Sequence, residues 1–104
     1  MRDAKGRQNP RDVSEQDKPW FCYIARCGDG SLYVGIATDL EEREKEHNWG
    51  VGAEFTARRR PVKVVWSEQF ANQSDAHARE VEIKGWSRRK KLDLVTGKRG
   101  ARRR

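Results

Sequence analysis

Residues 20–50, WFCYIARCGDGSLYVGIATDLEEREKEHNWG, decide how this chain folds. WFCYIAR puts aromatic and branched side chains at both odd and even positions, the pattern of a strand covered on both faces. Cys27-Gly28-Asp29-Gly30-Ser31 is a turn, and LYVGIA follows it as the second strand of a hairpin. With Gly28-Asp29-Gly30 as the loop, a length that places glycine in the left-handed position, Cys27 faces Ser31, Tyr23 lies opposite Gly35, and Tyr33 lies opposite Ala25. Both tyrosines then share one face with small residues beside them. A two-residue Asp29-Gly30 loop would put them on opposite faces, since a slip of one residue inverts every side chain.

Thr38-Asp39-Leu40-Glu41 has the spacing of a capping box, with Thr38 as the cap, and opens a helix from Asp39 to about His47 that ends near Asn48 and Gly50. Only Leu40 is apolar in DLEEREKEH, yet a helix in so small a domain must bury one face. Arg43 and His47, at i+3 and i+7, share the Leu40 face and are expected to point at the sheet. Working further outward, residues 50–61 read as a loop and VKVVWSE (62–68) as a third strand. Ser74 or Asn72 caps a helix through Lys84 that breaks at Gly85, and Ser87 caps a short basic helix, RRKKLDLV. In the helix before Gly85, Ala76, Glu80 and Ile83 form one core-facing stripe. A carboxylate at Glu80 needs a cation, because burying it unpaired costs several kcal/mol. Arg43 in a salt bridge or a divalent metal ion would serve.

The whole chain has 104 residues, enough for one domain. Of its 36 hydrophobic residues, 32 fall in residues 19–95. Residues 1–18 lack periodicity and are expected to be disordered, and 96–104 form a basic flexible tail. The net charge of +7 comes mostly from that tail, TGKRGARRR, with five Lys/Arg and no carboxylate. Such an end reads as an electrostatic anchor for a polyanion, with a solubilising end as the alternative. No apolar run approaches the ~20 residues of a membrane span, and no apolar leader is present. Cys22 and Cys27 fit no zinc spacing. A cytoplasmic protein is expected, with no membrane association and no obligate protein partner.

These segments, in this order, resemble the GIY-YIG nuclease family, specifically its small single-domain members. Cys22-Tyr23-Ile24 stands near the "GIY" element and Tyr33-Val34-Gly35 at the "YIG" element. Arg43 and His47 follow Asp39 at steps of four. Phe55-Thr56 and Arg60-Pro61-Val62-Lys63 resemble the YT…RPVKL segment, and Ala76 through Lys84 the A-x-x-x-E-x-x-I-K helix, with Glu80 at the glutamate. The chain departs from the pattern at Phe21 (for the glycine of "GIY"), at Glu42 (where a basic residue is common) and at Phe55 (for tyrosine).

The resemblance implies an α+β fold, a three-stranded antiparallel sheet flanked by helices. It also implies a metal-dependent phosphodiester hydrolase acting on DNA, in repair or recombination. Glu80 would hold Mg2+ or Mn2+ and Arg43 would face the phosphate. Tyr33 would be the general base, with Tyr23 and His47 orienting water or phosphate; His47 is intrinsically the better base at neutral pH, and the sequence leaves the choice open. The basic residues expected to meet nucleic acid are Arg58, Arg59, Arg60, Lys63, Lys84, Arg88, Arg89, Lys90 and Lys91. The competing readings are a non-catalytic nucleic-acid-binding module on the same fold and, on the basic runs alone, an RNA- or ribosome-associated protein.

Overall fold

The hairpin forms in the three-residue register. In the computed structural model, which describes residues 18–97, β1 (Trp20–Arg26) pairs antiparallel with β2 (Leu32–Ala37), with Tyr23 opposite Gly35 and Ala25 opposite Tyr33. The Cys27 N–H donates to the Ser31 carbonyl at 2.9 Å, and Gly30 takes the left-handed conformation (φ 88°) that the loop demands. Asp29 accepts from both the Ser31 backbone and hydroxyl, tying the turn to itself. The expected disordered segment 1–18 and the tail 96–104 lie outside the described residues except for Lys18, Thr96 and Gly97.

The remaining elements are α1 (Leu40–Trp49), α2 (Glu54–Ala57), β3 (Lys63–Phe70), α3 (Gln73–Lys84) and α4 (Arg88–Thr96). β3 pairs antiparallel with the other edge of β1, giving the order β2-β1-β3, with a register shift between Ile24 and Ala25. The fold is therefore α+β, an open antiparallel sheet with helices. Central position explains the double-sided sequence of β1: Cys22, Tyr23, Ile24 and Ala25 are all buried. Cys22 and Ile24 face an apolar core with Val34, Ile83 and Leu94, covered by α3 and α4. Tyr23 and Ala25 face a second core with Ala37 and Val62, against which Leu40 of α1 packs.

The helix starts follow side-chain capping, with one correction. Asp39, not Thr38, caps α1: its carboxylate accepts from the Glu42 N–H at 3.0 Å, and a carboxylate at this end also meets the positive pole of the helix. Asn72 rather than Ser74 caps α3, and Ser87 caps α4. Gly50 ends α1 in the left-handed conformation. Residues 50–61 are not loop throughout, because the short α2 interrupts them. α4 runs one residue beyond the expected end of the domain, to Thr96, and Gly97 caps it.

Candidate active site

Placing Tyr23 and Tyr33 on one face requires Gly35 between them. A Cβ there would lie 2.8 Å from the Tyr23 hydroxyl and 3.0 Å from the Tyr33 ring, so any side chain would push both rings out of place. With glycine, their ring centroids stand 6.3 Å apart. Across from them, α1 delivers His47, which is fully buried with its ring centroid 5.2 Å from that of Tyr33.

His47 is held at both nitrogens. The Tyr23 hydroxyl lies 2.7 Å from Nε2, and the Thr56 hydroxyl lies 2.7 Å from Nδ1. Thr56 donates its single hydroxyl proton to the Ala53 carbonyl at 3.1 Å. Towards Nδ1 it can therefore only accept, so Nδ1 carries the ring proton and Nε2 accepts from the Tyr23 O–H. Burial and the Arg43 charge depress the His47 pKa below its ordinary value of 6.5, favouring this neutral ring. Burial first, and then the neighbouring Tyr33, push the Tyr23 pKa well above 10, with Arg43 opposing. Tyr23 is thus a neutral donor locked into the interior. Tyr33 is only partly buried and is the one phenol of the pair that solvent reaches.

The five expected catalytic residues are placed unequally. Tyr23, Tyr33 and His47 come together. Arg43 lies on the same face of α1 as His47, partly exposed, with its guanidinium 3.1 Å from Glu46. Glu80 sits on the α3 stripe between Ala76 and Ile83, with a side chain 13% exposed, paired with Lys84 at 3.1 Å and with the His77 ring 4.0 Å away. The structural salt bridge considered between Arg43 and Glu80 is absent among the described residues. Both charges nonetheless act on the Tyr23 hydroxyl, Arg43 lowering and Glu80 raising its pKa. Glu80 also acts on Cys22, whose thiol burial and nearby carboxylates push to about 12. Among the described residues no three His, Cys, Asp or Glu side chains cluster as a metal cage. What remains is one hard oxygen donor, a set that suits an ion keeping most of its own water, as Mg2+ does.

Thr56 and Gly52 carry roles the sequence did not disclose. A Cβ on Gly52 would lie 2.5 Å from His47 Nδ1, so this glycine lets the segment after α1 close over the imidazole. Neither has a local signature, because each partner is distant in sequence; only the Phe55-Thr56 pair hinted at Thr56. Phe55 stacks on Tyr33 with centroids 6.0 Å apart, and the Arg59 guanidinium covers the Phe55 ring at 3.8 Å.

The basic residues divide between the two sides of the sheet. Arg58, Arg59 and Arg60 lie beside the hairpin turn, fastened by Gly28 N–H to the Arg59 carbonyl (2.7 Å) and by the Arg59–Asp29 ion pair (3.3 Å). Lys63 is exposed at the start of β3. Lys84 is occupied by Glu80. Arg88, Arg89, Lys90 and Lys91 form the first turn of α4, which packs on the Cys22 side, and Lys90 lies over the Trp86 ring at 4.4 Å. No helix among the described residues is long and apolar enough to cross a membrane, and both cysteines are free and buried.

Comparison with known proteins finds relatives along most of the chain. A UPF0213 protein of Staphylococcus saprophyticus is 51% identical over 76 residues, 73% of this chain and 93% of that one. A UPF0213 protein of Staphylococcus aureus is 49% identical over 75 residues, 72% of this chain and 92% of that one. The solution NMR structure of a UPF0213 protein from Bacillus halodurans, 41% identical, covers 75% of this chain and 83% of that one with a TM-score of 0.49. The family model described as the GIY-YIG catalytic domain matches residues 19–93, and the chain belongs to the GIY-YIG family.

Proposed function

We propose that this chain is a divalent-metal-dependent endonuclease that hydrolyses phosphodiester bonds in DNA, in a repair or recombination setting. The observation that carries the reading is the partly exposed Tyr33 phenol backed by the buried Tyr23–His47–Thr56 hydrogen-bond chain. A purely structural core would fill this space with apolar groups rather than hold an imidazole at both nitrogens. Of the three candidate bases, His47 has both nitrogens engaged and Tyr23 is buried and donating. Tyr33 is left, in its deprotonated form, to take the proton of the attacking water and become the neutral phenol, while Tyr23 and His47 hold its surroundings polar and fixed. The Arg43 guanidinium, pulled from Glu46, would meet the non-bridging phosphate oxygens as charge builds there. Glu80 would hold Mg2+ or Mn2+. When bound, that ion would neutralise the scissile phosphate and stabilise the departing oxygen. The two free thiols suit a reducing compartment such as the cytoplasm.

A second reading, a non-catalytic nucleic-acid-binding module, is favoured by one observation: Arg43 and Glu80 are each already paired within their own helices. Incubating the protein with labelled flap, nicked, single-stranded and duplex DNA in magnesium, manganese or EDTA separates the two. Metal-dependent cleavage that Tyr33→Phe abolishes is expected. Binding without cleavage under every metal condition would leave the binding module.

A further inference from the structure

Three of the four exposed large hydrophobic side chains among the described residues fall within a seven-residue stretch: Trp49 at 63%, Val51 at 72% and Phe55 at 39%. Exposed apolar side chains this near one another in sequence, on a polar molecule, point to a contact surface. Its surroundings are cationic. Arg60 reaches back to donate to the Asn48 carbonyl at 3.3 Å, and its guanidinium lies 3.3 Å from where a Gly50 Cβ would stand. Arg58 lines two adjoining open hollows. One, of about 610 Å³, is shared with Asn48, Arg60 and Pro61; the other, of about 260 Å³, with Phe55, Arg59 and Glu54. The Arg58 guanidinium has no hydrogen-bond or ion-pair partner among the described residues, and that of Arg60 bonds only to carbonyls. Among the described residues, Glu54 is the one carboxylate lining either hollow. The Tyr33–Phe55–Arg59 stack joins the smaller hollow to the tyrosine face.

We infer that this surface takes the unpaired bases of a single DNA strand, with a base stacked on Trp49 and the flanking phosphates on Arg58 and Arg60. The inference rests on the nuclease reading for its place beside the scissile phosphate and deepens it by naming the substrate: single-stranded DNA, or the single-stranded part of a branched molecule. An intact duplex offers phosphates to the arginines, but its base faces are covered by their neighbours, so Trp49 would gain nothing from it. An unstacked base presents its π-face to an indole whatever the sequence, and exposed aromatic groups beside unpaired cations are the means by which single strands are held.

The test is fluorescence anisotropy in EDTA, so that cleavage plays no part. The probes are a labelled single strand of about 12 nucleotides and a blunt duplex of the same length. Wild type is expected to prefer the single strand. Trp49→Ala and Trp49→Leu should each weaken single-strand binding roughly ten-fold and leave duplex binding unchanged. Trp49 is exposed, so both variants keep the fold, which circular dichroism checks. Equal affinity for duplex and single strand, or wild-type affinity in Trp49→Leu, would overturn the inference. Cleavage in magnesium is measured separately on wild type, so the nuclease reading and this surface can fail independently.

Discussion

β1 presents two different interiors on its two faces. Towards α3 and α4, Cys22 and Ile24 meet Val34, Ile83 and Leu94, and the buried polar side chains among the described residues, His47 and Thr56, lie on the other face. Towards α1 and α2, the same strand meets a chain of hydrogen bonds from Tyr23 through His47 and Thr56 to the Ala53 carbonyl. The first face contributes stability in the ordinary way, roughly 1.5–3 kcal/mol for each large apolar side chain buried. The second is costly to build, since every member must be satisfied. A domain this small has a thin margin and keeps such a face where function needs it.

Substitutions on the two faces should therefore separate stability from activity. The largest effect on stability is expected from Ile83→Ala, which opens a cavity in the apolar core. It should lower unfolding free energy by about 2–5 kcal/mol in urea titration. The protein that remains folded should show unchanged chemistry. A fall of under about 0.5 kcal/mol would mean that the apolar face is not the stabilising one.

Thr56→Val comes next. It keeps the shape and removes the acceptor for His47 Nδ1–H, leaving a buried donor unpaired at about 1–3 kcal/mol. The imidazole is then free to move its proton to Nε2 and reverse the Tyr23 hydrogen bond. Nitrogen NMR of the ring should report an Nδ1-protonated neutral histidine in the wild type and a changed tautomer in the variant, while Thr56→Ser restores the wild-type spectrum. An Nε2-protonated ring in the wild type would break the relay.

Buried titratable groups on both faces also set a pH response. His47 is held below 6.5, so the folded form binds fewer protons than the unfolded one. Its contribution is complete above pH 6.5 and is lost as pH falls through the lower folded value. Tyr23 is raised above 10 and Cys22 from 9.0 to about 12, so the unfolded chain loses these protons first and stability falls as pH rises past 9 and then 10. Urea titrations across pH should show the acid arm vanish in His47→Gln and the first alkaline arm shrink in Cys22→Ala, where the buried Cys27 thiol, also raised from 9.0, keeps the remainder. An acid arm that persists in His47→Gln belongs to other groups.

How much of this was legible in the sequence follows from the range of the interactions. Gly28-Asp29-Gly30 fixes its own turn, so the hairpin register and the shared face of the tyrosines could be read locally. Asn72 and Ser87 announce helix starts because a cap acts on amides only a few residues away. Thr38 misled because Asp39, one residue on, offers a carboxylate to the same helix end. The partners of Arg43 and Glu80 were not anticipated: each pairs one turn away within its own helix, with Glu46 and Lys84. Thr56 and Gly52 were silent because their roles exist only once His47 is folded beneath them.

Glu80 is where catalysis and structure separate most sharply. Its partner Lys84 is more than half exposed, so Glu80→Gln removes only a screened ion pair and should cost no more than about 1 kcal/mol. The direct measurement is cleavage and binding of one labelled DNA substrate by wild type and Glu80→Gln, each checked by thermal melting. The expected result is a folded variant that binds DNA as wild type does in EDTA and cleaves at least about 100-fold more slowly in magnesium. A Glu80→Gln protein that cleaves at the wild-type rate would contradict the metal-dependent nuclease.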